Sequence, residues 1–145
     1  MMKTFRYALM SLGAVLLCAI LLIEYTVWDG HSARADSEKF VSQLLADFSR
    51  AWQPAAVGDR FTQDNIEQFR SAQGMIILKQ LSDLGQLRSI ENFSMRHHQR
   101  TATAKNSIYE FVGGFDNGTI AARVHLQTAS DGTKVKILIF SRYPA

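Results

Sequence analysis

The sequence predicts an α+β fold: an N-terminal transmembrane helix, then two or three helices packed on a curved antiparallel sheet of about four strands. Three observations carry this expectation. An apolar run opens the chain behind two cationic residues. Two stretches with helical spacing of apolar side chains follow. The last third alternates apolar and polar residues around an Asn-Gly and an Asp-Gly pair. A chain of 145 residues that is 47% hydrophobic suits one modest domain and an extra segment. The divisions are an anchor over 1–29, a linker over 30–36 and a domain over 37–145.

The leader reads MMKTFRYALMSLGAVLLCAILLIEYTVW. Lys3 and Arg6 precede the apolar run from Ala8 to Ile23. Cationic residues stay on the cytoplasmic side, so the remainder is expected to be exported. Tyr25, Val27 and Trp28 lengthen the run past Glu24, and aromatic rings favour the membrane interface. The expected partner of residues 8–28 is therefore a lipid bilayer. The placement is the inner membrane, single-pass, with the C-terminal domain in the periplasm. Cleavage following Ala35 is the alternative, because Ala33-Arg34-Ala35 has the small-x-small form of a signal-peptidase site. About a dozen residues separate Ile23 from Ala35, long for a cleavage region, which favours the anchor. Bulky Leu17 before Cys18 argues against lipidation. Cys18 is the only cysteine, so no intrachain disulfide is possible.

DSEKFVSQLLADFSRAW places Phe40, Val41, Leu44, Leu45, Phe48 and Trp52 on one helical stripe. Asp36 or Ser37 can cap it, and Pro54 and Gly58 end it. A second helical region begins after Thr62, the expected N-cap. Phe61 and Ile66 have the spacing of a hydrophobic staple. Gly74 divides this region into two helices, and Gly85 suits the position just past its end.

Beyond Gly85 the period changes. SIENFSMRHH is a first strand, with Phe93 and Met95 on one face, and TATAKNS is a loop. With Asn117-Gly118 as a two-residue type I′ turn, Phe115 faces Ile120, Phe111 faces Val124 and Tyr109 faces Leu126. With Asp131-Gly132 in the same role, Thr128 faces Val135, Leu126 faces Ile137 and Val124 faces Ile139. Both turns then give one apolar face, which a one-residue slip would destroy. The other face is expected to carry Glu110 opposite His125, Arg123 opposite Phe140, and Lys136 opposite Gln127, with Leu138 alongside. Gly113, Ala122 and Ser141 are expected to form a row of small residues on the apolar face. That row either admits a large side chain such as Trp52 or Phe48, or floors a ligand cavity.

An anchor, helices, LGQLRSIENF and a meander ending KVKILIFSRY together resemble the nuclear transport factor 2-like superfamily, roughly from Ser37 to Tyr143. The resemblance implies helices packed into a curved antiparallel sheet. It also implies a choice of roles: isomerases and dehydratases, subunits that only bind or dimerise, and membrane-anchored assembly domains of secretion systems. Small exported domains of this superfamily are the nearest likeness.

The residues favour binding over catalysis. An isomerase-type site needs a base and an oxyanion donor in one cavity. Tyr109 is the one aromatic hydroxyl placed clearly inward, and no carboxylate shares its face in this register. His97 and His98 are adjacent and point to opposite faces of a strand, while His31 and His125 lie elsewhere, so no metal site is expected. Gly113-Gly114 has no following helix to form a phosphate loop. Asn92-Phe-Ser and Asn117-Gly-Thr match the glycosylation pattern by chance. No cofactor is expected. A net charge of +3 with only the short cluster Arg96 to Arg100 argues against nucleic acid. The expected function is a non-catalytic, membrane-anchored binding or assembly module that meets a protein partner or a second copy through its outer sheet face. Arg123, His125, Leu138 and Phe140 are its candidate contacts. The alternative is a small-molecule carrier or weak isomerase-like enzyme with a pocket at Trp52, Tyr109, Gly113, Ala122 and Ser141.

Overall fold

The computed structural model of the chain describes Ala19 and residues 31–142, with the side chain of Arg142 left aside. The expected anchor, residues 8–28, lies outside the described residues apart from Ala19. Among the described residues no helix is long and apolar enough to cross a membrane. The fold that follows is that of the compact unit Ser37–Ala145.

It is α+β, with three helices packed on a four-stranded antiparallel sheet. Helix α1 covers residues 31–48, so of the stretch read as a linker, 30–36, residues 31–36 are helical and residue 30 lies outside the described residues. His31 to Asp36 contains neither glycine nor proline, and its two alanines and arginine are strong helix formers. Asp36 and Ser37 consequently lie inside α1 and do not cap it. Val41, Leu44, Leu45 and Phe48 are fully buried along its stripe. Trp52 follows in a turn with φ 49°, and two short 3₁₀ turns, Pro54–Ala56 and Gly58–Arg60, lead on.

Helix α2 spans Gln63–Arg70 and α3 spans Ala72–Ser82. Thr62 stands at the N-cap of α2, but its side chain makes no capping bond. The break between the helices falls at Ser71, not at Gly74. Ser71 is extended at ψ 161°, and its Oγ accepts a hydrogen bond from the Gly74 amide at 3.1 Å. Gly74 has a different duty. A Cβ there would lie 2.1 Å from the Gln68 carbonyl oxygen, so the elbow admits only glycine. After α3 the Gly85 amide donates to the Ser82 carbonyl at 3.2 Å, closing the helix as expected.

The strands are β1 (Leu87–Arg100), β2 (Lys105–Phe115), β3 (Gly118–Ala129) and β4 (Gly132–Arg142), paired in that order as a meander. The segment read as a loop, 101–107, is one only as far as Ala104. Between β2 and β3 the turn residues are Asp116 and Asn117, one position earlier than expected, and Phe115 pairs with Gly118. The pairing therefore slides by two: Phe111 meets Ala122 and Tyr109 meets Val124. A slide of two keeps every side chain on its face. Tertiary contacts hold the earlier turn. The Gln86 amide donates to Asp116 Oδ2 at 2.9 Å, and the Asn117 amide donates to the Leu84 carbonyl at 2.9 Å.

The β3–β4 turn also moves one position, to Ser130-Asp131, with Gly132 after it at φ 114°. This is a turn followed by a left-handed glycine, where the expectation put glycine within the turn. A second departure has larger consequences. Leu126 pairs with Val135 and His125 with Ile137, leaving Lys136 as a bulge. One extra residue reverses the alternation of everything after it. Leu138 and Phe140, expected outside, turn inward and pack partly buried on the core. Ile139, expected inside, is 48% exposed, and Ile137 is 38% exposed. Phe111 and Val124 share the core layer, and Ile139 does not. The expected row of small residues is lost with it: Gly113 pairs with Ile120, Ala122 lies between Phe111 and Phe140, and Ser141 pairs with Ala121 on the exposed side.

The core is largely aromatic. Phe48 contacts Trp52, Phe61 and Phe69 at centroid distances of 5.2, 5.6 and 5.6 Å. Phe93 stacks on Tyr109 at 4.7 Å. Phe61 makes a parallel bridge to Val135, and the Thr62 amide donates to the Val135 carbonyl at 2.9 Å. That bridge covers the first part of the edge strand β4.

Candidate functional site

Two regions are candidate binding surfaces: the outer sheet face, and a groove beside β4. On the outer face Glu110 pairs across strands with Arg123. Arg123 Nε donates to Glu110 Oε1 at 2.9 Å, Arg123 Nη2 contacts the same oxygen, and Arg96 Nε donates to Oε2 at 2.5 Å. One carboxylate thus serves two guanidiniums. Hydrogen bonds from Arg123 and then Arg96 hold the Glu110 carboxyl below its usual range. His125 is the cross-strand partner of Ile108 and Ile137. Partial burial, then Arg123 and Lys136, depress its imidazole below the ordinary value of 6.5. A shallow hollow of about 410 Å³ is bordered by Arg96, Glu110, Ala121, Arg123 and Ile139.

These titrations have definite signs. The lowered Glu110 value means stability present at neutral pH and lost as pH falls through its folded value. The lowered His125 value means that the folded chain takes up a proton less readily than the unfolded chain. Stability then falls as pH drops through 6.5 and levels off below the folded value. His125→Gln should flatten the decline of the melting midpoint between about pH 7 and about pH 5, leaving the steeper carboxylate loss at lower pH. Melting curves across that range check it.

The second region is a groove of about 840 Å³ between the α2–α3 elbow and the ends of β3 and β4. Its apolar lining includes Phe69, Leu81, Ile120, Leu138 and Phe140, and its polar lining includes Asn65, Gln68, Gln73 and Gln80. Among the described residues no charged side chain borders it. Asn65 is 4% exposed, and its carboxamide nitrogen is buried without a hydrogen-bond partner. The Thr62 hydroxyl, one turn earlier, is in the same state.

Of the expected outer-face contacts, Arg123 and His125 lie there, while Leu138 and Phe140 line the groove on the inner side. Ile137 and Ile139 take their outward places. The expected pocket residues do not form one pocket. Trp52 and Tyr109 are core side chains, Gly113 and Ala122 are buried in the sheet, Ala122 and Ser141 both border the outer hollow, and of the five only Ser141 borders the groove. Trp52 also edges a separate hollow of about 400 Å³, with Met75 and Leu78, on α3. Among the described residues no three His, Cys, Asp or Glu side chains converge as a metal site would require. Asn65 was not foreseen. An Asn within an amphipathic helix gives no sequence cue beyond its place beside Ile66 on the buried stripe.

Comparison of the chain with models of protein families, with curated proteins and with solved structures returned no match.

Proposed function

We propose that the chain is a single-pass, N-in membrane protein whose domain 37–145 lies in the periplasm. It works as a non-catalytic binding and assembly module, pairing with a second copy through the outer sheet face. The leader supports the topology, through Lys3 and Arg6 ahead of the apolar run. The likeness to the nuclear transport factor 2-like superfamily rests on element order, helices followed by a meander.

One observation carries the binding reading. The Lys136 bulge turns Ile137 and Ile139 outward beside an Arg96–Glu110–Arg123 cluster whose carboxylate is already shared. Two large aliphatic side chains gain by leaving water, at about 25 cal/mol per Å² of apolar area. The ion-paired cluster has less charge to desolvate than free arginines would. A stable pair needs about 800 Å² from each copy, so the contact must extend across β2–β4.

Sedimentation equilibrium of the full chain in detergent tests this. The wild type should be dimeric. Ile137→Asp combined with Arg123→Glu, which sets a second carboxylate against Glu110, should be monomeric with an unchanged circular dichroism spectrum. A wild type that stays monomeric at high concentration, and crosslinks to no partner in membranes, overturns the reading. Mass determination on membrane and soluble fractions separates the anchored form from one cleaved following Ala35.

A further inference from the structure

We infer that the groove beside β4 is a peptide site, taking an extended, uncharged segment with apolar side chains as an added strand. Geometry is the first support. Leu138 and Phe140 point to the inner face and Ile139 and Ser141 to the outer, yet all four border the groove. Side chains from both faces can share a groove only where it runs along the edge or end of the strand. β4 is the edge of the sheet. Among the described residues its one bridge on that side, from Phe61, ends at Val135, and no strand pairs beyond it. An uncovered edge presents alternate N–H and C=O groups ready to pair with an extended chain.

The lining gives the chemistry. Among the described residues no charged side chain is in contact, so a charged ligand would lose its hydration without compensation from them. Carboxamides of Gln68, Gln73 and Gln80 each offer a donor and an acceptor, matching both ends of a peptide unit. Phe69, Ile120, Leu138 and Phe140 suit aliphatic side chains at alternate positions. Asn65 is the independent sign. A buried amide nitrogen without a partner is costly, and a carbonyl oxygen from an incoming peptide supplies what it lacks. This site does not depend on association through the outer face, since a monomer presents it equally.

The test uses the full chain in detergent and fluorescein-labelled acetyl-Gln-Leu-Thr-Leu-Gln-amide, read by fluorescence polarisation up to about 1 mM, the weak end of useful affinity. Binding is expected, and N-methylation of both leucine amides should reduce it at least about tenfold, the equivalent of about 1.4 kcal/mol. Leu138→Trp should block the groove. Asn65→Leu should weaken binding at least about threefold while leaving the melting midpoint level or raised, because it removes a buried amide nitrogen that had no partner. Absence of binding, equal binding of the N-methylated peptide, or full binding by Asn65→Leu overturns the inference. So does sedimentation showing that a second copy already occupies the β4 edge and that the peptide does not displace it. Monomeric wild type that binds the peptide refutes self-association alone.

Discussion

Trp52→Ala should destabilise the domain by about 3–5 kcal/mol, the cost of removing a large buried aromatic ring. The melting midpoint should fall by at least about 10 °C. Trp52 closes the end of α1 onto two separate parts of the sheet. Its ring lies 5.2 Å from Phe48, 5.7 Å from Phe115 and 6.4 Å from Phe140. Its indole Nε1 donates to the Gly85 carbonyl at 3.1 Å, tying the joint between α3 and β1. Trp52→Phe separates these roles. It keeps most of the ring contact and leaves the carbonyl without that donor, so it should cost about 1–3 kcal/mol. Thermal melts of both variants check the order, alanine well below phenylalanine. An alanine variant within about 1 kcal/mol of wild type would mean that this ring is not central to the core.

What could be read from the sequence was parity, because parity depends on local alternation. Tyr109, Phe111, Phe115, Ala122, Val124 and Leu126 are buried together although both turns begin one residue earlier than the glycines suggest. Such a displacement slides the register by two and leaves the faces intact. The displacement itself is set by contacts from Gln86 and Leu84 to Asp116 and Asn117, thirty or so residues away, which no local turn preference contains. The helical stripe of α1 was equally legible. The division of the second helical region was foreseen, but at the wrong residue. Gly74 looks like a breaker, whereas it is buried inside α3 because the Gln68 carbonyl oxygen crowds it.

The bulge was not legible. Lys136 in KVKILIF has no glycine or proline to mark it, and the uninterrupted reading alternates just as well. Placing the bulge needs knowledge of what lies over each face. Without it Leu138 and Phe140 would point to the outer face and Ile137 and Ile139 would take the core. The groove was hidden for the same reason. Its walls come from α2, α3 and the end of β4, which are adjacent only after the sheet edge meets the elbow.

Phe140→Asp and Ile139→Asp, adjacent in sequence, should differ by at least about 2 kcal/mol. Phe140 packs against the core and meets Trp52, so an aspartate there carries a carboxylate toward apolar surroundings and removes the ring. The expected loss is about 3 kcal/mol or more. Ile139 is on the exposed face, where the change should stay within about 1 kcal/mol of wild type. Were Lys136 paired in register with β3 instead of bulged, the order would reverse, because Ile139 would be the core residue. Deleting Lys136 gives a complementary result. Two residues on β4 now oppose one position on β3, between the Leu126–Val135 and His125–Ile137 pairs. Removal of the extra residue lets those pairs close up, with Leu138 and Phe140 still inward. The deletion should therefore fold, keep the same two exposed isoleucines and remain sensitive to Phe140→Asp. If the deletion instead unfolds while Ile139→Asp is as damaging as Phe140→Asp, β4 does not carry the bulge at Lys136, and the faces assigned to the outer surface and to the groove exchange places.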